Sequence, residues 1–518
     1  MRVRNAMFAK LPRPQRPLAL AVVLALGVGG AEAATITVSA GGDSGTAASC
    51  TLRQAIAVVK AKATTGTGCI NSGTAFGGSG DTIVFDAGAV PPASTITLSG
   101  SPLSVVSLTA PLSIQGGGRT IDANHLSGVL YTSLSTLTIN GLTLTGGSTS
   151  SKGGGVASID SNVTLINSTI SDNSASFSAG GVYAWEGSVT LTNSTVSGNS
   201  SPVGGGVSLF SSTLTLNNGN VLANSANYGG GVFATHSPVT LTNGSTLSDN
   251  YAKFTGGGVY AKDSSPVSLS NSTLSNNTAH NGAGIYAETS SPVTLTNSTV
   301  SGNLASGEGG GVLNFGSVTL TNSTVSGNSA GNWGGGVVAY FTLTLTNSTV
   351  TGNSAEAGAG VMASQCNMTV TDSTVTGNSA TSVAGGVWVR STSTLTLANS
   401  ILSGNTSPLG PDIYSTSSLS ATYSLLGTAL MPANSGNQNI FFDNPGVSAL
   451  ANNGGPTQTM ALNPTSPAVN AGSNALVPGG IQYDQRGVGY ARIVNGSADI
   501  GAFELSDTIF TSGFDSGP

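Results

Sequence analysis

One unit recurs along the middle of this chain: Gly-Gly-Gly-Val and three variable residues, then Val-Thr-Leu-Thr-Asn-Ser-Thr-Val-Ser-Gly-Asn-Ser-Ala. Self-similarity at a fixed period narrows the possible folds sharply, because every unit must pack on a copy of itself. The first Asn of the unit stands at 140, 167, 193, 218, 243, 271, 297, 322, 347 and 399, with Gln115 and Asp372 in the same register, so twelve coils of about 25 residues can be counted. A second Asn follows at 173, 199, 224, 250, 277, 303, 328, 353, 378 and 405.

Apolar residues alternate within each unit, as in Val189-Thr-Leu191 and Val318-Thr-Leu320, which is the period of a strand. Val and Thr suit strands, and Gly and Asn suit the turns between them. No single unit can bury its apolar face, but stacked copies pair strand on strand about 4.8 Å apart. The expected fold is therefore all-β: a parallel β-helix of about 12 coils, on the order of 60 Å long. Right-handedness follows from the strong preference of parallel crossovers. Val182, Val207, Val232, Val259, Ile285, Val312, Val337, Val361 and Val387 form an inward column. The aligned Asn residues are expected at corners, bonding amide to amide and adopting left-handed angles.

The ends of such a stack need covers. Thr51-Leu-Arg-Gln54 fits a capping box, and residues 49–63 read as a short amphipathic helix over the N-terminal opening. The repeat fades after Asn405, and residues 431–505 are expected to close the other end. Residues 1–33 combine Arg2, Arg4, Lys10, Arg13 and Arg16 with the apolar run Leu18–Val28 and Ala31-Glu-Ala33, the order of a secretory leader cleaved near Ala33. The chain thus divides into a leader (1–33), an N-terminal cap (34–110), the repeats (111–430), a C-terminal module (431–505) and a tail (506–518).

Removing the leader takes away five of the 15 basic residues and one of the 21 acidic ones, leaving ten against twenty. Such a surface repels nucleic acid and anionic lipid, so no nucleic-acid partner is expected. No mature segment is apolar enough to form a transmembrane helix. Cys50 and Cys69 bracket one short segment and can close a disulfide in an oxidising compartment, whereas Cys366 suits a coil interior.

Cys50-Thr-Leu-Arg-Gln-Ala-Ile56 resembles the Cys-Ser-Leu-Arg-Glu-Ala motif domain of exported bacterial β-helix proteins, with Thr51 and Gln54 in place of Ser and Glu. Asn452-Asn-Gly-Gly-Pro-Thr-Gln-Thr459, Ser466-Pro-Ala-Val-Asn-Ala-Gly472, Asp484-Gln-Arg-Gly487 and Asp499-Ile-Gly-Ala-Phe-Glu504 occur in the order of the choice-of-anchor module of the same proteins. The repeats resemble those of polymorphic outer-membrane proteins and, more distantly, pectate-lyase-like β-helices. These resemblances imply a secreted or cell-surface protein of a Gram-negative bacterium. Polymorphic outer-membrane proteins typically end in a membrane β-barrel, whereas 14 residues follow Glu504 here, so anchoring by its own barrel is not expected. The tail Ile509-Phe-Thr-Ser-Gly-Phe514-Asp is similar to a short C-terminal motif of exported proteins, and reads either as a sorting signal or as a disordered end.

Strand alternation turns the second and fourth residues after each glycine triplet outward. The first outward column includes Tyr183, Phe233, Tyr260, Tyr286 and Trp388; the second includes Trp185, Phe210, Lys262, Phe315 and Tyr340. Rings in a row on a flat sheet either stack on sugars or a protein partner, or simply shield and stiffen the sheet. His236, Asp263 and Glu288, with Lys262, fall on successive coils as weak candidates for acid and base work. Lys262 and Glu288 also suit a ladder ion pair. The resemblance to pectate lyases implies an Arg base with calcium-binding carboxylates, but coils 151–405 contain Arg390 alone, with Ser364 and Gln365 beside it in register. No metal-ligand spacing and no cofactor motif is present. Asp484, Arg486, Asp499 and Glu504 read as an ion-pair network inside the C-terminal module. Two functions remain: an adhesin-like binding protein for glycans or cell-surface partners, and a carbohydrate-active enzyme, either a polysaccharide lyase or a glycoside hydrolase.

Overall fold

The computed structural model describes residues 33–506 except 47, 418 and 431–435; the leader before Ala33 and the tail motif at 509–515 lie outside the described residues. One coil shows the plan. Strands Val182–Trp185, Ser188–Thr192 and Thr195–Ser197 follow one another, and each pairs in parallel with its copy in the next coil through Val182 with Val207, Leu191 with Leu216 and Val196 with Val221. The sheet that follows the glycine triplets has 14 strands, from Leu103–Val106 to Ala429–Leu430, and the solenoid makes about 13 turns. The repeat therefore outlasts its visible motif: Ile413–Ser415 and Ala429–Leu430 continue the stack after Asn405.

The inward column from Val182 to Val387 is fully buried, as are the Val and Leu pairs of the second strand. Cys366 also lies in this interior, where burial pushes its thiol up to about 12.

The two Asn columns differ. Asn167, Asn193, Asn218, Asn271 and Asn297 take φ near +50° at the corner, with amides at the surface or partly covered. Asn173 to Asn405 instead point inward, and the residue before each one takes the left-handed turn, as Gly302 (φ +64°) does before Asn303. Each buried Asn Nδ2 donates to the Oδ1 of the next, at 2.8–3.0 Å. Each also caps a backbone carbonyl, so the amides are satisfied in a place where unpaired polar groups are costly.

Asp412 receives the last bond of this column, from Asn405 Nδ2 at 2.9 Å and from the Asn405 N–H at 2.8 Å. Burial pushes its carboxyl from 3.8 up to about 6, against those two hydrogen bonds. The native chain therefore holds this proton more tightly than the unfolded chain, so the stability it adds is complete below pH 3.8 and is lost as pH rises through about 6. The loss is about 3 kcal/mol, at about 1.4 kcal/mol for each pH unit between the two values. Asp412→Asn, which extends the amide column, is expected to raise the denaturation midpoint at pH 8 and to flatten its fall between pH 4 and 7; an unchanged pH profile refutes this assignment.

The helix expected near the N-terminus is present, over Leu52–Ala61. Helix Leu52–Ala61 starts at Thr51, whose hydroxyl accepts from Gln54 N while the Gln54 side chain accepts from Thr51 N–H. Its buried face of Leu52, Ala55, Ile56, Val58 and Val59 joins the solenoid core, and the Cys50–Cys69 disulfide is closed.

The C-terminal module corrects the expectation that it closes the stack. Ile440–Phe441 pairs with Leu425–Leu426 at the end, but the rest folds back along the flank of the last coils. Gln485 accepts from the Thr349 hydroxyl and donates to the Thr324 hydroxyl, and Ala502 N–H donates to Thr374. Ile401 and Leu425 pack outward against Leu462, Ala468, Ile500 and Phe503. The module's footprint shows in the burial: Thr324, Thr349 and Thr374 are buried beneath it, whereas the equivalent Thr195, Thr273 and Thr299 of earlier coils stay partly exposed. Inside the module Arg486 bonds Asp484 at 2.6 Å and Arg492 bonds Glu504 at 2.8 Å, all four side chains buried. Asp499 accepts from the Asn470 and Leu505 N–H groups, which completes the network.

Candidate binding face

The third glycine of each triplet ends in a strand whose first residue points into the core, so Val182 is inside and Tyr183 and Trp185 are outside. With coils about 4.8 Å apart, rings at these positions must meet. Trp185 and Phe210 lie 6.0 Å apart, followed by Phe210–Phe233 at 5.8 Å, Phe233–Tyr260 at 5.3 Å and Tyr260–Tyr286 at 5.1 Å. The row continues with Tyr286–Phe315 at 5.7 Å and Phe315–Tyr340 at 4.8 Å. The Phe233–Tyr260 and Tyr260–Tyr286 contacts are edge to face, a favoured arrangement for ring quadrupoles.

This row is only partly open. Tyr183 and Phe233 point out of the coil but are 1% and 8% exposed, so they form a floor and not an open platform. Further along, Leu313, Val338 and Met362 make a second apolar cluster outside the coil, packed against Tyr286, Phe315, Trp333, Tyr340 and Trp388. Trp185, at 42% exposed, presents the most ring surface of the expected residues.

The weak catalytic candidates are engaged separately. Glu288 accepts the hydroxyl of Tyr260. Burial and then Glu288 hold that phenol well above its ordinary value, which makes it a donor and not a base. Lys262 pairs with Asp263 of its own coil at 3.4 Å, so the expected ladder pair with Glu288 does not form. His236 is exposed at a left-handed corner, and only its backbone N–H reaches Asp263, at the carbonyl. Arg390 lies over the rings of Trp333 and Trp388, at 4.8 and 4.5 Å, held as a stacked cation. Among the described residues no three His, Cys, Asp or Glu side chains gather as metal ligands.

The family of the right handed beta helix region matches residues 113–272, 180–343 and 257–459, which together span more than half of the chain. The protein belongs to the right-handed β-helix family. The handedness expected from crossover preference is thus that of the family. No curated protein matches the chain significantly.

The outward face of this β-helix protein has members that strand alternation alone does not supply. Lys152, Tyr228, Glu308 and Trp333 each directly precede a glycine triplet, and they reach back over the first outward column. Lys152 Nζ donates to the Tyr183 hydroxyl at 2.9 Å, the Tyr228 ring lies 6.2 Å from Tyr260, and the Tyr340 hydroxyl donates to Glu308 at 3.5 Å. Burial and Glu308 push the Tyr340 phenol up to about 12. Phe177 and Phe254 stand on the same side of their triplets, at 62% and 40% exposed. The signal for these residues is their fixed offset before the glycines. No helix among the described residues is long and apolar enough to cross a membrane.

Proposed function

We propose that this β-helix protein is an exported, adhesin-like binding protein, secreted or displayed on the surface of a Gram-negative bacterium, whose aromatic face holds extended glycans or cell-surface partners. The observation that carries the reading is the unbroken run of ring contacts from Trp185 to Tyr340. Tyr and Trp give large contact area at small conformational cost, and a rigid sheet fixes their spacing. The leader-like residues 1–33 and a disulfide in the N-terminal cap support export to an oxidising compartment. The Cys50–Ile56 segment and the module over 452–504 are read, on their motifs, as the motif domain and choice-of-anchor module of such proteins.

The test pairs a glycan array and whole-cell binding with Trp185→Ser/Tyr228→Ser. Both rings are exposed by more than a third, so thermal unfolding should move by no more than about 2 °C while binding falls at least tenfold. Unchanged binding makes the face structural. Release of new reducing ends or unsaturated sugars, lost in Glu288→Gln, replaces binding with the carbohydrate-active enzyme as the function.

A further inference from the structure

At the N-terminal end of the aromatic face lies a cleft of about 460 Å³, a volume within the usual range of small-ligand sites. Leu126 and Ile159 give it apolar walls, Ser127 and Ser150 contribute hydroxyls, and Tyr131 adds a ring. Lys152 is also in its lining. The Lys152 ammonium is surrounded by the rings of Tyr183 at 4.6 Å, Phe177 at 5.4 Å, Trp185 at 5.6 Å and Phe210 at 5.9 Å. One of its three N–H donors goes to the Tyr183 hydroxyl.

Two features leave this cation open to an anion. Among the described residues it forms no ion pair, and no carboxylate lines its cleft. The chain as a whole is acidic, with 21 Asp and Glu against 15 Lys and Arg, so a cation free of carboxylates creates a local contrast in field. The rings take over part of its solvation and fix its position, and donors remain for an anion.

We infer that this cleft binds the carboxylate of an acidic sugar, a uronic-acid residue of a glycan, with Lys152 as its charge partner. This rests on the binding reading proposed above and names the glycan class. The sugar carboxylate meets the ammonium, its hydroxyls meet Ser127 and Ser150, and its C–H face meets the apolar wall and Tyr131. A single cation matches the single charge of a uronate. It is a poorer match for a doubly charged phosphate.

The test is calorimetric titration of the full chain with a uronic-acid trisaccharide and with the same trisaccharide as its methyl ester. The acid should bind at least tenfold more tightly than the ester. Lys152→Met, whose thioether still packs among the rings, should lose that preference, and Lys152→Arg should keep it. Equal binding of acid and ester to the unaltered protein overturns the inference, and so does a preference that survives in Lys152→Met. The comparison of acid with ester needs no variant, so the result stands even if Lys152→Met folds poorly. Binding of neutral glycans that depends on Trp185 and Tyr228, with no preference for the acid, defeats this inference and leaves the proposed function intact. A preference for the acid that depends on Lys152 but not on those two rings defeats the broader reading instead.

Discussion

Asn277→Ala is expected to destabilise the solenoid by about 4 kcal/mol or more, from roughly 1 kcal/mol for each lost hydrogen bond plus the cost of buried groups left unpaired. Asn277 Nδ2 donates to Asn303 Oδ1 at 2.9 Å and to the Leu247 carbonyl at 3.1 Å. Its Oδ1 accepts from both the N–H and the Nδ2 of Asn250, each at 3.0 Å. All these groups are shut away from water, so truncation leaves donors on Asn250 and the Leu247 acceptor with nothing to replace the amide. Asn297, in the other column, carries the same side chain at a partly covered corner with φ +49°, and Asn297→Gly keeps that angle while removing two solvent-accessible amide bonds, its own to Asn271 at 3.2 Å and that from Asn322 at 3.1 Å. Its cost should stay below about 1 kcal/mol. A repeat protein need not unfold in one step, so native-state hydrogen exchange of coils 250–303 is the direct measurement. Equal losses for the two variants would show that the buried column is not the stronger support.

Gly258→Ala should cost about 3 kcal/mol or more, or prevent folding, because added volume in a close-packed stack forces the backbone to move. A Cβ on Gly258 would lie 2.6 Å from the Gly284 carbonyl oxygen of the next coil and 2.8 Å from Leu247 Cδ2. That carbonyl is fixed, since it accepts the Val259 N–H at 2.9 Å. The chain itself marks the difference between positions in the triplet. Alanine occupies the first at Ala179 and Ala384 and the second at Ala283 and Ala359, while the third is glycine in each unit from Gly155 to Gly386. A Cβ on Gly257 would meet the Ala283 and Thr278 carbonyl oxygens at 2.5 and 2.6 Å, no looser than at Gly258, so it is Ala283 and Ala359 that mark the second position as able to adjust, and Gly257→Ala is expected to cost less, about 1–2 kcal/mol. Circular dichroism melts of the two variants decide it: a Gly257→Ala loss as large as that of Gly258→Ala removes the distinction.

Much of the architecture was legible because it is written in local periods. Alternating Val and Leu give strands, a spacing of about 25 residues gives the register, and Thr51 with Gln54 gives the helix start. The inward column from Val182 to Val387 and the outward position of Trp185 follow from the same alternation. The candidate site was legible only in part. Alternation places Tyr183 and Phe233 outside the coil, but it carries no information on what lies above them. Lys152, Tyr228 and Trp333 belong to the variable segments before the glycines, where short bridges and a bulged strand pairing break the regular alternation.

The sequence by itself thus determined the parallel coils, their stacking order and the direction of each strand side chain, since these depend on nearest neighbours and on identical copies meeting in register. Only the tertiary structure decided which Asn column is buried, because the two carry one residue type six residues apart and differ in which residue takes the left-handed turn. It also decided that the C-terminal module lies along the flank, where Gln485 meets Thr324 and Thr349 across more than 130 residues of chain. It placed Lys152 among four rings from three coils as well. Each of these outcomes depends on the shape left when the coils are stacked, and no single repeat contains that shape.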